Sequence, residues 1–257
     1  MRIKLFIFSS ILTVFILGCS QQKPIVDEPI DCDVQFSRHV VGRSVQGREI
    51  ELFTFGNDNR ETILYIASIH GSERAGTALM GEFISYLQNN GSSVCSDKRI
   101  VIAPNVNPDG FFEKTRHNIN GIDLNRNFPA ENRQNNEVFG FFAYSEPESR
   151  TIANIIDVYQ PKLILVFHEP LNCIDYDGHA EKYAHYLADH CDLEAKKLGA
   201  RPGSLGAYAG ETLGIPIITV EFGTDVDGLS GEIMWVRYSG LVLAACESIN
   251  YFSAPAN

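Results

Sequence analysis

Four short apolar runs constrain this chain more than any other feature of its sequence: 62–69 (Thr62-Ile63-Leu64-Tyr65-Ile66-Ala67-Ser68-Ile69), 99–106, 162–167 and 215–222. Each is nearly continuous in hydrophobicity and too short for an ordinary amphipathic helix, which is the pattern of a strand buried on both faces. Stretches with helical character follow them. Residues 73–87 place Ala75, Leu79, Phe83, Ile84 and Leu87 on one face, and 147–159, 179–197 and 232–251 are further helical candidates. Strands buried on both faces need helices on both sides, so the spacing predicts a single-domain α/β/α sandwich around a mainly parallel sheet. Ahead of the first run, the turn-rich Val41-Gly42-Arg43-Ser44-Val45-Gln46-Gly47-Arg48 leads into an alternating stretch ending at Phe55-Gly56, which predicts an edge hairpin.

The first 18 residues read differently. Met1-Arg2-Ile3-Lys4 is a short basic region, 5–17 is almost wholly apolar, and Gly18-Cys19 follows. This is the anatomy of a secretory signal, and the apolar run is short for a span of about 20 residues. Ile16-Leu17-Gly18-Cys19 resembles a bacterial lipoprotein box, which implies cleavage before Cys19 and lipid on its thiol. The expected organisation is a signal peptide over 1–18, a lipid-anchored tether over 19–34 and a catalytic domain over 35–254. Mature Cys19 then holds the chain at a membrane in the cell envelope, and Ser20 after it implies the outer membrane of a diderm cell. Cys32, Cys95, Cys173, Cys191 and Cys246 remain, an odd number without any Cys-x-x-Cys, so neither a redox motif nor a zinc ribbon is expected.

Charge narrows the class of partner. Against 21 Lys and Arg stand 32 Asp and Glu, a formal net charge of -11 that falls further when Arg2 and Lys4 leave with the signal. Such a surface repels phosphate backbones, so no nucleic-acid partner is expected, although a local basic pocket for a small anion is compatible with it. A monomer is the simplest assembly.

The polar residues at the strand ends carry the chemistry. His70 closes the first apolar run and heads His70-Gly71-Ser72-Glu73, which sets an imidazole and a carboxylate three residues apart across a glycine turn. His168 stands directly after the third run. Two histidines and one glutamate are a catalytic zinc donor set, although satisfied histidines and a helix-capping glutamate would leave the same trace. Glu221 interrupts the otherwise apolar fourth run, where an unpaired charge would be expensive; a proton-transferring role beside a metal gives it a purpose, and a structural salt bridge is the alternative. Asn107-Pro108-Asp109-Gly110 and Gly121-Ile122-Asp123-Leu124-Asn125-Arg126-Asn127-Phe128 gather turn residues and donors; Asn125 and Arg126 suit a substrate carboxylate and Arg116 an oxyanion, or each braces a loop.

Taken together, His70-x-x-Glu73, Asn107-Pro108-Asp109-Gly110, Gly121 to Phe128, His168 and Thr219-Val220-Glu221 resemble the zinc carboxypeptidase family of the carboxypeptidase A-like type over about 41–251. The resemblance implies a mixed eight-stranded sheet between helices and one Zn²⁺ per chain on His70, Glu73 and His168. It makes Glu221 the general base and acid, Asn125 and Arg126 the grip on a terminal carboxylate, and Arg116 the carbonyl-polarising arginine. Longer forms carry an additional arginine near the position of Glu113. The compact length and Gly203-Ser204-Leu205-Gly206-Ala207-Tyr208 resemble the murein peptide amidase branch, which hydrolyses the γ-D-glutamyl-meso-diaminopimelate bond of cell-wall peptides. Tyr208 is expected as a pocket-wall residue, and 171–178 as a segment shaping the pocket, with Asp175 and Asp177 both open candidates for the diaminopimelate amine.

Three other functions share parts of this pattern. A metallocarboxypeptidase releasing C-terminal L-amino acids would need the same centre and a different substrate pocket. An acylase of N-acyl amino acids lacks a reason for the Asn-Pro-Asp-Gly and Asn-Arg segments, and an inactive envelope peptide-binding protein lacks a reason to keep every catalytic side chain. Serine catalysis is disfavoured because there is no Gly-x-Ser-x-Gly elbow.

Overall fold

The computed structural model describes residues 35–253, so the signal peptide, the tether, Cys19 and Cys32 lie outside the described residues. The edge hairpin is β1 (Phe36–Arg43) and β2 (Glu49–Phe55), and it is followed by β3 (Glu61–Ala67), α1 (Ala75–Val94), β4 (Lys98–Ala103) and α2 (Pro108–Glu113). Then come α3 (Pro147–Tyr159), β5 (Leu163–His168), β6 (Cys173–Asp177), α4 (Glu181–Ala188), β7 (Glu194–Ala195), β8 (Ile217–Glu221) and α5 (Gly231–Ser253). They build an eight-stranded mixed sheet in the order β1-β2-β4-β3-β5-β8-β6-β7. The central run β4-β3-β5-β8 is parallel, whereas β1 and β2 run antiparallel at one edge and β6 pairs antiparallel with β8 at the other, with the short β7 parallel to β6.

The continuous apolar runs are explained by two cores, one on each face. Ile63, Tyr65, Leu165, Phe167, Ile218 and Val220 point towards α1, α4 and α5, where Leu79, Phe83, Leu187 and Leu241 meet them. The alternate residues Leu64, Ile66, Ile164, Val166 and Ile217 point the other way, towards Ile152, Ile155 and Ile156 of α3 and towards Phe128 and Leu205. Successive side chains of a strand face opposite sides, so the helices above and below demand apolar residues at every position.

Connectivity creates the crevice. From β3 the chain crosses through α1 to β4 on one side of β3, and from β4 it crosses through α3 to β5 on the other side. The carboxyl ends of β3 and β5 therefore diverge from a topological switch point, where an α/β sheet opens a binding crevice. His70 follows the first of these ends and His168 terminates the second.

Two expectations need correction. The helical stretch over 179–197 is helical only in α4, because the fully buried turn of core packing ends at Leu187 and the chain is then drawn to the sheet edge. Leu193 enters the core, Asp192 accepts a 2.9 Å hydrogen bond from Arg237 of α5, and β7 pairs with β6. β6 itself was not expected as a strand, since Asp175 and Asp177 are poor strand formers. It forms because its backbone pairs antiparallel with β8 over five residue pairs.

Asp109 of the Asn-Pro-Asp-Gly turn is fully buried and braces the fold. It accepts hydrogen bonds from Ser44 Oγ at 2.8 Å, Gln46 N at 2.9 Å and Arg48 Nη1 at 2.5 Å, locking the hairpin turn to α2. Asn107 completes the brace by donating to the carbonyl of Ile69 at 3.1 Å, next to His70. Asp109→Ala leaves these donors without their acceptor and is expected to cost about 3 kcal/mol in urea unfolding.

Candidate active site

Three side chains converge at the switch point. His70 and His168 are 2% and 4% exposed, Glu73 is 7% exposed, and their donor atoms all lie within 4.8 Å of one another. Glu73 Oε1 is 2.8 Å from His70 Nδ1, and Glu73 Oε2 is 2.7 Å from His168 Nδ1. Gly71 makes the turn possible, because it lies against the backbone of Gly110 with no room for a side chain. Two imidazoles and a carboxylate, buried and aimed at one point, fit a single Zn²⁺ by donor chemistry and burial. The outer nitrogen of His70, Nε2, lies 3.1 Å from Asp123 Oδ1, so the carboxylate orients the ring and leaves Nδ1 as the inward donor.

Electrostatics follow from this crowding. Burial alone would raise the Glu73 pKa, but His168 and His70 together hold it well below the usual carboxylate range. Burial would lower the pKa of His70, and its hydrogen bonds to Asp123 and Glu73 raise it instead. Asp123, despite burial, is brought down to about 2, first by its bond to His70 and then by Arg126 and Arg116.

Glu221 sits opposite His168 in the β5–β8 register. Burial raises its pKa and Glu73 adds to this, while His168 opposes. Its Oε2 accepts only a long hydrogen bond, 3.5 Å, from the Leu171 amide. Asn125 reaches His168 Nε2 at 3.3 Å and accepts from Leu205 N at 2.9 Å, which fixes it between two loops. Arg126 is turned back on the Asn125 carbonyl at 2.5 Å. Arg116 donates to Glu73 Oε1 at 2.7 Å, with 45% of its side chain exposed.

All seven of these residues, the three donors with Glu221, Asn125, Arg126 and Arg116, line one cavity of about 450 Å³. Tyr208 does not line it. The ring is stacked on Phe128 at 5.8 Å and edge-on to Tyr144 at 5.9 Å, so the expected pocket-wall residue is a half-buried aromatic packed against the core rather than the cavity. Its neighbours Ser204, Leu205 and Gly206 do form the wall. His117, whose loop leads to Asn125, is also outside the lining.

Beyond these seven, the residues around the centre left a weak sequence signal or none. Asp123, which lies behind His70 and outside the lining, belongs to the Gly121–Phe128 segment but shows its purpose only through its contact with His70. Glu169 follows His168 directly and accepts the Ala75 amide at 3.0 Å, holding the start of α1. Arg201 comes from a loop 33 residues past His168 in the chain. Asp175 and Asp177 both reach the cavity from β6.

Asp177 is 4% exposed and its pKa is pushed up to about 6, chiefly by burial and then by Asp175 and Glu211, with Lys197 opposing. A folded pKa above the ordinary 3.8 means that the native state binds the proton more tightly than the unfolded chain. Stability is therefore lost as pH rises through this interval. Asp177→Asn is expected to raise the Tm at pH 8 and to lose that advantage at pH 4, as read by thermal unfolding at the two pH values.

A mixed sheet with a buried His-Glu-His centre at its switch point defines a metal-dependent α/β hydrolase. The chain belongs to the zinc carboxypeptidase family, whose sequence profile matches residues 31–200, and it is a hydrolytic enzyme of that zinc-dependent family. It is 32% identical over 199 residues to murein peptide amidase A of Escherichia coli strain K12, covering 70% of this chain and 79% of the relative. The crystal structure of a murein-tripeptide amidase from Escherichia coli O157 superposes with a TM-score of 0.64 at 26% identity, covering 86% of this chain and 93% of that one. Carboxypeptidase A of Helicoverpa armigera, at 18% identity and a TM-score of 0.69 over 84% of this chain and 69% of its own, shares the fold.

Proposed function

We propose that this chain is a zinc-dependent peptidase that hydrolyses the amide bond between γ-D-glutamate and meso-diaminopimelate in murein peptides. One observation carries the reading: the donor set His70, Glu73 and His168 shares a single cavity with Glu221, Asn125, Arg126 and Arg116. The two relatives named for murein peptides support the choice of substrate.

His70, Glu73 and His168 would hold one Zn²⁺. When bound, zinc supplies a Lewis acid for the scissile carbonyl and acidifies water. Glu221 takes the proton of the attacking water and returns it to the departing amine, the two-stage work that a carboxylate with a raised pKa suits. Asn125 and Arg126 grip the carboxylate of the leaving residue, for which Arg126 gives up its backbone carbonyl. Arg116 leaves Glu73 Oε1 to meet negative charge developing on the carbonyl oxygen. The chain acts as a monomer, held in the bacterial envelope by lipid on Cys19.

The test is to give the full chain, in detergent, L-Ala-γ-D-Glu-meso-diaminopimelate and ordinary L-peptides side by side. Release of diaminopimelate is expected, lost on chelation and regained with added zinc; turnover of L-peptides alone would overturn the reading. Mass spectrometry of membrane-extracted protein tests the anchor, which an unmodified Cys19 would refute.

A further inference from the structure

The cavity does not stop at the reacting centre. Glu221, Thr219 and Ile217 alternate along β8, and all three line it. Across the strand pair, Cys173 lies opposite Glu221, Asp175 opposite Thr219 and Asp177 opposite Ile217. At about 3.3 Å per strand residue, Asp177 lies roughly 13 Å along the sheet from the level of Glu221. Only a long side chain on the leaving residue can reach it.

The chemistry at that end is of two signs. Asp175 accepts the Leu198 amide at 2.7 Å, which leaves its second oxygen without a partner among the described residues. Among the described residues Asp177 has one cation near it, Lys197 Nζ at 3.5 Å, which lies outside the lining and also donates to the Tyr176 carbonyl at 3.0 Å. The wall is shaped around the other carboxylate oxygen of Asp177: a Cβ on Gly206 would come within 2.2 Å of Oδ2. A buried carboxylate so weakly compensated is costly unless a ligand completes it. Arg201 lines the same cavity, and among the described residues its guanidinium makes no hydrogen bond or ion pair.

We infer that this end of the cavity is a zwitterion subsite, in which Asp177 with Asp175 receives an ammonium group and Arg201 a carboxylate, both borne at the tip of the leaving residue's side chain. The inference rests on the reading of the chain as a γ-D-glutamyl hydrolase and assigns the residues that select the leaving group. An aliphatic side chain would leave Asp177 charged and buried, and lysine would satisfy Asp177 but offer Arg201 nothing. Diaminopimelate carries an ammonium and a carboxylate on its distal carbon and meets both. Arg126 and Arg201 then divide the work, one holding the carboxylate beside the scissile bond and the other the distal one.

The experiment compares four peptides, L-Ala-γ-D-Glu-X, with the zinc-loaded full chain in detergent. X is meso-diaminopimelate, the same residue amidated at its distal carboxyl, L-lysine, or L-norleucine. The expected kcat/KM is greatest for diaminopimelate, about tenfold lower for lysine and the amidated residue, and about tenfold lower again for norleucine, the scale of one charged hydrogen bond per step. Arg201→Gln is expected to close the gap between diaminopimelate and its amide. Asp177→Asn is expected to reduce turnover of the three ammonium-bearing peptides about tenfold relative to norleucine, with the Tm undiminished, so that misfolding is not the cause. If all four peptides turn over alike and both variants change them alike, the subsite is overturned while the γ-D-glutamyl reading stands. If none of the four is cleaved and ordinary L-peptides are, both fall.

Discussion

Glu221→Gln is expected to lower kcat by about a thousandfold while leaving zinc content and thermal stability near those of the unaltered chain. Glutamine keeps the shape of the side chain and an oxygen to accept the Leu171 amide, so the strand and its pairing with His168 have no reason to move. What is lost is the capacity to take a proton from water and hand it to the amine. The position makes the effect large, because Glu221 is the carboxylate of the cavity that faces the triad without ligating it and is held above its ordinary pKa by burial. Single-turnover kinetics with metal analysis separates the outcomes. Normal hydrolysis by zinc-loaded Glu221→Gln would assign the proton transfers to another group.

Gly71→Ala is expected to remove activity by a different route, through the backbone. An added Cβ would stand 2.0 Å from the carbonyl carbon of Gly110 and 2.3 Å from the nitrogen of Phe111, so two main chains must separate. The Gly71 amide also donates to the Arg116 carbonyl at 3.2 Å, and Asn107 ties the Ile69 carbonyl to the same turn. Overpacking of this kind costs about 1–3 kcal/mol, and here it displaces His70 and Glu73 as well as the loop carrying Arg116. The expected result is a chain that folds with a lower Tm and binds zinc weakly, measured by unfolding and by metal titration. Zinc affinity and Tm both unchanged would show that the turn tolerates the methyl group.

These two expectations draw on features of unequal legibility. Glu221 was visible in the sequence because a carboxylate inside Ile217-Ile218-Thr219-Val220 breaks a pattern that burial imposes. His70-x-x-Glu73 was visible because local spacing fixes local geometry. The closeness of Gly71 and Gly110 was not, because the two turns are brought together by the parallel pairing of β3 with β4, and no spacing encodes that distance. Tyr208 failed for a related reason: a tyrosine after a wall-forming loop serves pocket and core equally well in sequence, and only packing against Phe128 and Tyr144 decides. β6 was hidden because its aspartates answer to the cavity rather than to strand propensity, and its pairing with β8 overrode the local preference.

By itself, the sequence determined the layered α/β architecture, the donors of the metal centre and the general base, since each leaves a mark within a few neighbouring residues: a continuous apolar run, a three-residue spacing, a charge where none is cheap. Tertiary structure alone decided which of the remaining side chains meet in the cavity. Glu169, Arg201 and the β6 pair Asp175 and Asp177 come from three separate segments, and Asp123 reaches His70 across 53 positions of chain. Their meeting depends on the order in which strands are laid beside β3 and β5. Periodicity records which face of an element is buried, but it carries no record of which distant element covers that face.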